Sequence, residues 1–139
     1  MPDFTIPDKK EVEKTIKSIY RLLFPATNSY SDTELENKSN TSEIQLLRIL
    51  TGLTDRREDV TKRFFKNLDE IKDTLLKDAV FILESDPAAK QLIEVIAIYP
   101  GFFAIFCYRI AHSIAHLSVP LLPRMITEYA HKVTGIDSV

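Results

Sequence analysis

Asp86 and Pro87 are the first candidates for residues whose types and spacing could serve a chemical role. A carboxylate in this position can accept hydrogen bonds from free backbone N–H groups, and a proline in the first turn needs no donor, so the pair predicts the start of a helix. As a helix cap alone, Asp86 would contribute about 1 kcal/mol to stability. The same carboxylate could also receive charge-assisted hydrogen bonds from the ammonium group of a ligand. Both roles stay open for Asp86.

His112 and His116 are the second candidate, because side chains four residues apart share one face of a helix and could reach the same metal ion. A metal site usually needs three or four ligands. His131 is remote in sequence, and Cys107 would lie on another part of the helix surface. We therefore predict no metal site. Arg109, His112 and His116 are instead predicted to form a polar stripe that faces solvent or another subunit.

The composition excludes several classes of function. With 18 Lys and Arg against 20 Asp and Glu, the net charge is -2, and no basic block suggests a nucleic-acid partner. Only three glycines occur, so no dinucleotide-binding turn or phosphate-binding loop can be written. The single cysteine, Cys107, rules out an internal disulfide framework and is predicted to be a core side chain. No secretory leader pattern opens the chain, which favours a cytoplasmic location.

The elements before the Asp86 motif are predicted to be helices. The first lies between Pro7 and Pro25, and residues 1–24 either move semi-independently or dock on another subunit. Residues 25–42 are mostly polar and predict a surface connection or hinge. Thr41 or Ser42 is then expected to cap a short helix that carries Ile44, Leu47 and Leu50 on its apolar side and ends at Gly52. From Asp55 the helical period continues to the Asp86 motif, as one helix or two.

The elements after the Asp86 motif are also predicted to be helical. One helix ends near Tyr99, a second covers 101–117, and a third begins at Pro120 or Pro123 and stops at Gly135. Residues 92–110 are apolar enough to suggest a membrane span, but Pro100 and Gly101 should split them into two helices that are each too short to cross a bilayer. The predicted fold is all-α, a single bundle of about five to seven helices over residues 1–139, with no strand.

Three segments in order carry a family resemblance: Ser85-Asp86-Pro87-Ala88-Ala89-Lys90, Tyr99-Pro100-Gly101-Phe102 and Tyr108-Arg109-Ile110-Ala111-His112. Together they resemble the N-terminal helical region of serine acetyltransferases. The resemblance is specific over residues 84–137 and faint over residues 1–67. At Phe103 the chain departs from a histidine that is frequent in the family. The printed sequence reaches Val139 just after Thr134-Gly135-Ile136-Asp137, where members of the family begin their catalytic left-handed β-helix.

The resemblance implies a serine O-acetyltransferase, which makes O-acetyl-L-serine and CoA from acetyl-CoA and L-serine in cysteine biosynthesis. It implies that Asp86 helps to bind the substrate serine and that the catalytic residues lie in the β-helix, so none is expected in this chain. No cofactor is expected to bind here, since acetyl-CoA is a co-substrate held by the β-helix. The implied partners are further copies of the chain and, through a region not present, O-acetylserine sulfhydrylase; neither nucleic acid nor membrane is implied. The alternative is a stand-alone helical interaction module without enzymatic activity.

Overall fold

A computed structural model describes residues 4–25 and 31–136. They form seven helices: α1 (Lys9–Leu23), α2 (Asp32–Leu50), α3 (Arg57–Lys66), α4 (Leu68–Ser85), α5 (Leu92–Ile98), α6 (Pro100–His116) and α7 (Leu122–Thr134). No strand occurs among these residues. The prediction of an all-α bundle of five to seven helices is therefore confirmed.

Helix α6 packs against α4, α5 and α7. Its two largest buried side chains belong to a cluster of aromatic rings. The cluster consists of Tyr20, Phe24, Phe102, Phe103 and Phe106. The hydroxyl of Tyr20 donates a hydrogen bond to the carbonyl of Ile96, and burial, with the nearby Cys107 thiol, raises the pKa of Tyr20 above its ordinary value. The polar tip of this buried ring is thus satisfied, as burial requires.

Helix α1 begins and ends where its flanking prolines predict. Asp8 is the N-cap, and its carboxylate accepts from the backbone N–H of Lys10 at 2.8 Å. The apolar stripe of α1 packs against α2 and α7 and lies in the same core as the later helices. Semi-independent movement of residues 1–24 stays a prediction, but this packing leaves α1 without a separate core of its own.

Helix α2 corrects the prediction of a connection over residues 25–42. The helix already begins at Asp32, with Ser31 as N-cap accepting from the N–H of Glu34 at 3.2 Å, while residues 26–30 lie outside the described part of the chain. Thr41 does not cap a helix, because its hydroxyl donates to the carbonyl of Asn37 within α2. Polar residues lower helix propensity only slightly, and the acidic side chains in the first turn after Ser31 interact favourably with the helix dipole. The helix can therefore extend through this polar segment.

The apolar face of α2 also differs from the predicted one. Leu46, Ile49 and Leu50 are buried, whereas the predicted stripe member Ile44 is 56% exposed. Ser42, the other predicted cap, is fully buried within the helix. The partner helix α1 decides which face is covered, and a short apolar pattern within a long polar helix could not indicate that.

Gly52, just beyond the end of α2, is a point of close backbone approach. The N–H of Thr5 donates to the carbonyl of Gly52 at 2.9 Å, and a Cβ at Gly52 would lie 2.4 Å from both the Cβ and the carbonyl oxygen of Thr5. A side chain at position 52 would therefore displace the segment before α1.

We expect Gly52→Ala to lower the free energy of unfolding by about 1–3 kcal/mol, the usual range for an overpacked site. Urea unfolding followed by circular dichroism measures the change. The matched control is Gly101→Ala in α6, where a Cβ would meet nothing within 4 Å. Because alanine favours a helix over glycine, this control should gain roughly 0.5–1 kcal/mol. Equal effects of the two substitutions would contradict the steric argument.

The apolar run that leads to the Asp86 motif forms two helices and not one. Helix α3 begins at Arg57, two residues after the predicted start at Asp55, and has no side-chain cap. Asn67 separates α3 from α4. The apolar residues that repeat at helical spacing along this run are buried, except Ile82, which is partly buried: Val60, Phe64, Leu68, Ile71, Leu75 and Ala79.

The helices after residue 91 follow the predicted order. Helix α5 ends just before Tyr99, α6 follows at Pro100, and the axes of the two helices differ by 72°. No single helix among residues 4–25 and 31–136 has the length and hydropathy of a membrane span; α5 and α6 reach them only as this bent pair. Helix α7 carries Pro123 in its first turn and ends at Gly135, whose φ of 71° lies in the left-handed region. Of the apolar residues at helical spacing in α7, Ile126 and Tyr129 are buried and Val133 is exposed.

Candidate functional site

Asp86 lies in the turn between α4 and α5, and it does not start a helix as predicted. Its backbone N–H donates to the carbonyl of Ile82 at 3.0 Å, so Asp86 is the C-cap of α4. Its carboxylate accepts from the N–H of Ala88 at 2.9 Å, and its carbonyl accepts from the N–H of Ala89 at 3.1 Å. The following helix begins only at Leu92. Asp86 therefore organises a turn by bonding to its own backbone two residues on, a habit of Asp that competes with helix capping.

Two further side chains meet Asp86 at this turn. The side chain of Tyr99 lies near the Asp86 carboxylate. Burial of the ring, its interaction with Asp86 and the negative charge of Glu94 together raise the pKa of Tyr99 above its ordinary value. Glu94 itself accepts from the backbone N–H of Lys90 at 3.3 Å. We call Asp86, Glu94 and Tyr99 the acidic turn.

The acidic turn is suited to binding a cation that donates hydrogen bonds. An ionised carboxylate has about four lone-pair positions, and the Ala88 N–H occupies only one of those on Asp86. Asp86 is neither buried nor fully exposed, so an external ammonium group can reach a carboxylate whose direction is already set. The arrangement contains no nucleophile with a base beside it.

Sequence reasoning assigned no role to Glu94 or Tyr99. The signal for Tyr99 was its place before Pro100, since the residue before a proline is held in extended backbone, and Tyr99 has φ −73° and ψ 117°. This extended conformation ends α5 and allows α6 to begin in a new direction. It occurs at Tyr99, the residue whose side chain lies near Asp86. Glu94 carried no sequence signal beyond its position in the first turn of α5.

Arg109 pairs with another helix of the bundle and does not simply face solvent as part of a polar stripe. Its guanidinium makes two hydrogen bonds to the carboxylate of Asp78 on α4, with Nε–Oδ2 and Nη2–Oδ1 distances of 2.5 and 2.9 Å. The hydrogen bond to Asp78 raises the pKa of Arg109, against the opposing effect of burial. Planar bidentate pairs of this kind add geometric specificity, so Arg109 joins α6 to α4.

His112 and His116 form the exposed part of the predicted polar stripe. Their Nε2 atoms are 3.0 Å apart, and the ring of Tyr108 stacks beside His112 with a centroid separation of 5.9 Å. They line a cavity of about 380 Å³ between α6 and the α3–α4 pair. Across residues 4–25 and 31–136, no group of three or more His, Cys, Asp or Glu side chains is placed to hold a metal ion.

Cys107 is a core residue, as its sequence context predicted. Its side chain is fully buried, and burial raises the pKa of the thiol to about 12. A thiol in this environment stays protonated at neutral pH and is a poor nucleophile.

Comparisons with known proteins point to one family. No family model matches the chain. The chain is 39% identical over 85 residues to a plasmid-encoded serine acetyltransferase of Synechococcus elongatus, a match that covers 61% of this chain and 27% of that protein. It is 38% identical over 56 residues to a serine acetyltransferase of Helicobacter pylori, covering 40% of this chain and 33% of that protein. The matched segments thus span about a quarter to a third of these curated relatives.

Solved structures give the same answer over most of the chain. The crystal structure of Entamoeba histolytica serine acetyltransferase 1 in complex with L-cysteine superposes with a TM-score of 0.82 at 25% identity, covering 91% of this chain and 48% of that one. The native form of that enzyme also has a TM-score of 0.82, at 24% identity, and covers 99% of this chain and 52% of that one. In sequence and in fold, this chain resembles the N-terminal helical domain of serine acetyltransferases.

Proposed function

We propose that this chain is the N-terminal helical domain of a serine O-acetyltransferase that transfers the acetyl group of acetyl-CoA to the hydroxyl of L-serine. The observation that carries the proposal is the 39% identity over 85 residues to a serine acetyltransferase, joined to a fold that matches such an enzyme with a TM-score of 0.82. The whole enzyme would act in cysteine biosynthesis in the cytoplasm.

The acidic turn supports a role in holding the substrate serine. The α-ammonium group of L-serine would donate charge-assisted hydrogen bonds to Asp86, and Glu94 would add a second negative charge nearby. The hydrogen bond from the Ala88 N–H holds the Asp86 carboxylate before the substrate arrives, so less ordering is required on binding. Because these groups belong to one turn and the helix after it, the site is largely preformed.

The chemical step would rely on residues outside this chain. A serine hydroxyl is a poor nucleophile while protonated, so a general base must remove its proton as the oxygen attacks the thioester carbonyl. The thiolate of CoA then leaves, and the acetyl group stays on the serine oxygen. We assign the base and the acetyl-CoA site to a catalytic domain, and we assign to this chain the orientation of serine.

Exposed apolar side chains favour assembly with other chains. Phe81 on α4 is 69% exposed and Ile98 on α5 is 70% exposed, so burial of either side chain against another chain would remove apolar surface from water. We propose that these side chains contact a further copy of the chain or the catalytic domain. The same observation favours the second candidate function, a helical interaction module without enzymatic activity.

A thiol-release assay with acetyl-CoA and L-serine separates the two candidates. We expect the protein made from the uninterrupted gene to release CoA in a serine-dependent manner. The 139-residue chain by itself should release none, because the acidic turn offers neither a base for the hydroxyl nor a site for the acyl donor. Turnover by the 139-residue chain would refute the division of roles proposed above, and no turnover by the complete gene product would favour the interaction module.

A further inference from the structure

His112 and His116 bring two imidazole nitrogens into direct contact on the exposed side of α6. The Nε2 atoms are 3.0 Å apart, and the two rings are perpendicular with centroids 4.5 Å apart. Both residues are exposed, so neither ring is required by the core. Both nitrogens are accessible to an ion from solvent once the hydrogen bond between them is broken.

The separation of the two nitrogens indicates which ion fits. With imidazole nitrogens about 2.0–2.1 Å from a metal ion, a nitrogen–nitrogen distance of 3.0 Å corresponds to an angle of roughly 91–97° at the metal. Neighbouring ligands in a square-planar or octahedral site meet at about this angle, whereas a tetrahedral zinc site needs a wider one. The geometry therefore favours Cu²⁺ or Ni²⁺ over Zn²⁺.

We propose that His112 and His116 form a two-histidine binding site for a divalent transition metal with tetragonal preference, Cu²⁺ before Ni²⁺, whose remaining coordination positions are taken by water. The order of the two ions follows the general rise in affinity toward Cu²⁺ along the first transition series. The sequence predicted no metal site because a third protein ligand was missing, but an open site with water ligands needs only the two.

The surroundings of the pair are compatible with a cation. Arg63 and Arg109 line the same cavity, but each is paired with a carboxylate, Arg63 with Asp59 and Arg109 with Asp78. The carboxylate of Glu70 also lines the cavity and, with both arginines neutralised by their partners, leaves one negative charge beside the pair. Tyr108, stacked on His112 at an interplanar angle of 19°, limits the rotation of that ring.

Binding requires a change in where one proton sits. Without metal, the contact between the two Nε2 atoms is a hydrogen bond only if one of them carries a proton. When the metal binds, that neutral imidazole must carry its proton on Nδ1, which leaves an Nε2 lone pair on each ring. The proton moves between nitrogens of the same ring through solvent, so no net proton is released.

Electron paramagnetic resonance of the 139-residue chain with one equivalent of Cu²⁺ tests the proposal. We expect hyperfine splitting from two imidazole nitrogens. His112→Gln and His116→Gln should each remove one nitrogen and weaken Cu²⁺ binding by at least about tenfold, the lower end of the loss seen when a metal site is disturbed. His131→Gln on α7 is the matched control and should leave both the splitting and the affinity unchanged.

Two outcomes would overturn the proposal. Splitting that is the same in both single variants as in the wild type would place the copper elsewhere, and loss of splitting in His131→Gln would do the same. Circular dichroism of all three variants checks that they stay folded, which we expect because the three histidines are exposed.

Discussion

Replacing Asp86 with alanine in the enzyme made from the uninterrupted gene should lower kcat/KM for L-serine. A hydrogen bond to a charged group is worth about 1.5–3 kcal/mol, which corresponds to a loss of roughly 10- to 150-fold in kcat/KM. The reason is that the alanine variant loses the carboxylate that would receive the ammonium group of serine. Steady-state kinetics with varied serine and saturating acetyl-CoA measures the loss.

Asp86→Asn is the control that separates charge from turn geometry. Its amide oxygen can still accept the hydrogen bond from the Ala88 N–H, so the turn should persist while the negative charge is lost. We expect this variant to lose a similar share of kcat/KM and to keep the thermal stability of the wild type. If Asp86→Ala keeps full activity with serine, Asp86 only forms the turn and the substrate role is wrong.

Phe106→Ala should be the most destabilising single substitution discussed for this domain, with a loss of about 3–5 kcal/mol in the free energy of unfolding. Phe106 is fully buried in α6, and its ring meets that of Tyr20 edge to face with centroids 4.9 Å apart. Truncation leaves a cavity where α6 faces α1, and the surrounding rings can close only part of it. Urea unfolding monitored by circular dichroism gives the value.

Phe81→Ala is the matched control, since it removes the same atoms from a side chain that is 69% exposed. We expect a change within about 0.5 kcal/mol, as for other surface substitutions. Any oligomer that depends on Phe81 should weaken at the same time, which sedimentation velocity would detect. A large loss of monomer stability in Phe81→Ala, or a small one in Phe106→Ala, would show that the core assignment is wrong.

Much of the fold followed from local rules that a sequence displays directly. Pro7 and Pro25 bracket α1, Pro100 divides the apolar run into α5 and α6, and Gly135 ends α7 in the left-handed conformation. These features depend on single proline and glycine residues, whose strong backbone preferences persist in the folded structure. The resemblance to serine acetyltransferases was likewise readable, because it rests on short motifs in a fixed order.

The candidate site was predictable only in part. Asp86 could be selected as a candidate from its motif, but its local structure could not be predicted. An aspartate before a proline can cap the start of a helix or stabilise a turn, and both are chemically reasonable. In the structure Asp86 closes the turn between α4 and α5, and these two helices pack against each other. Tyr99 lies 13 positions later in the chain, at the end of α5, and the turn together with α5 brings it back to Asp86.

The sequence by itself determined that the chain is helical, where its prolines and glycines interrupt the helices, and which family it resembles. The tertiary structure decided that α2 reaches back to Asp32, which face of α2 is buried, that Arg109 pairs with Asp78, and that the Nε2 atoms of His112 and His116 approach to 3.0 Å. The physical reason is the range of the interactions. Backbone preferences act within a few residues, whereas burial and side-chain pairing depend on partners from other helices, which no local pattern specifies.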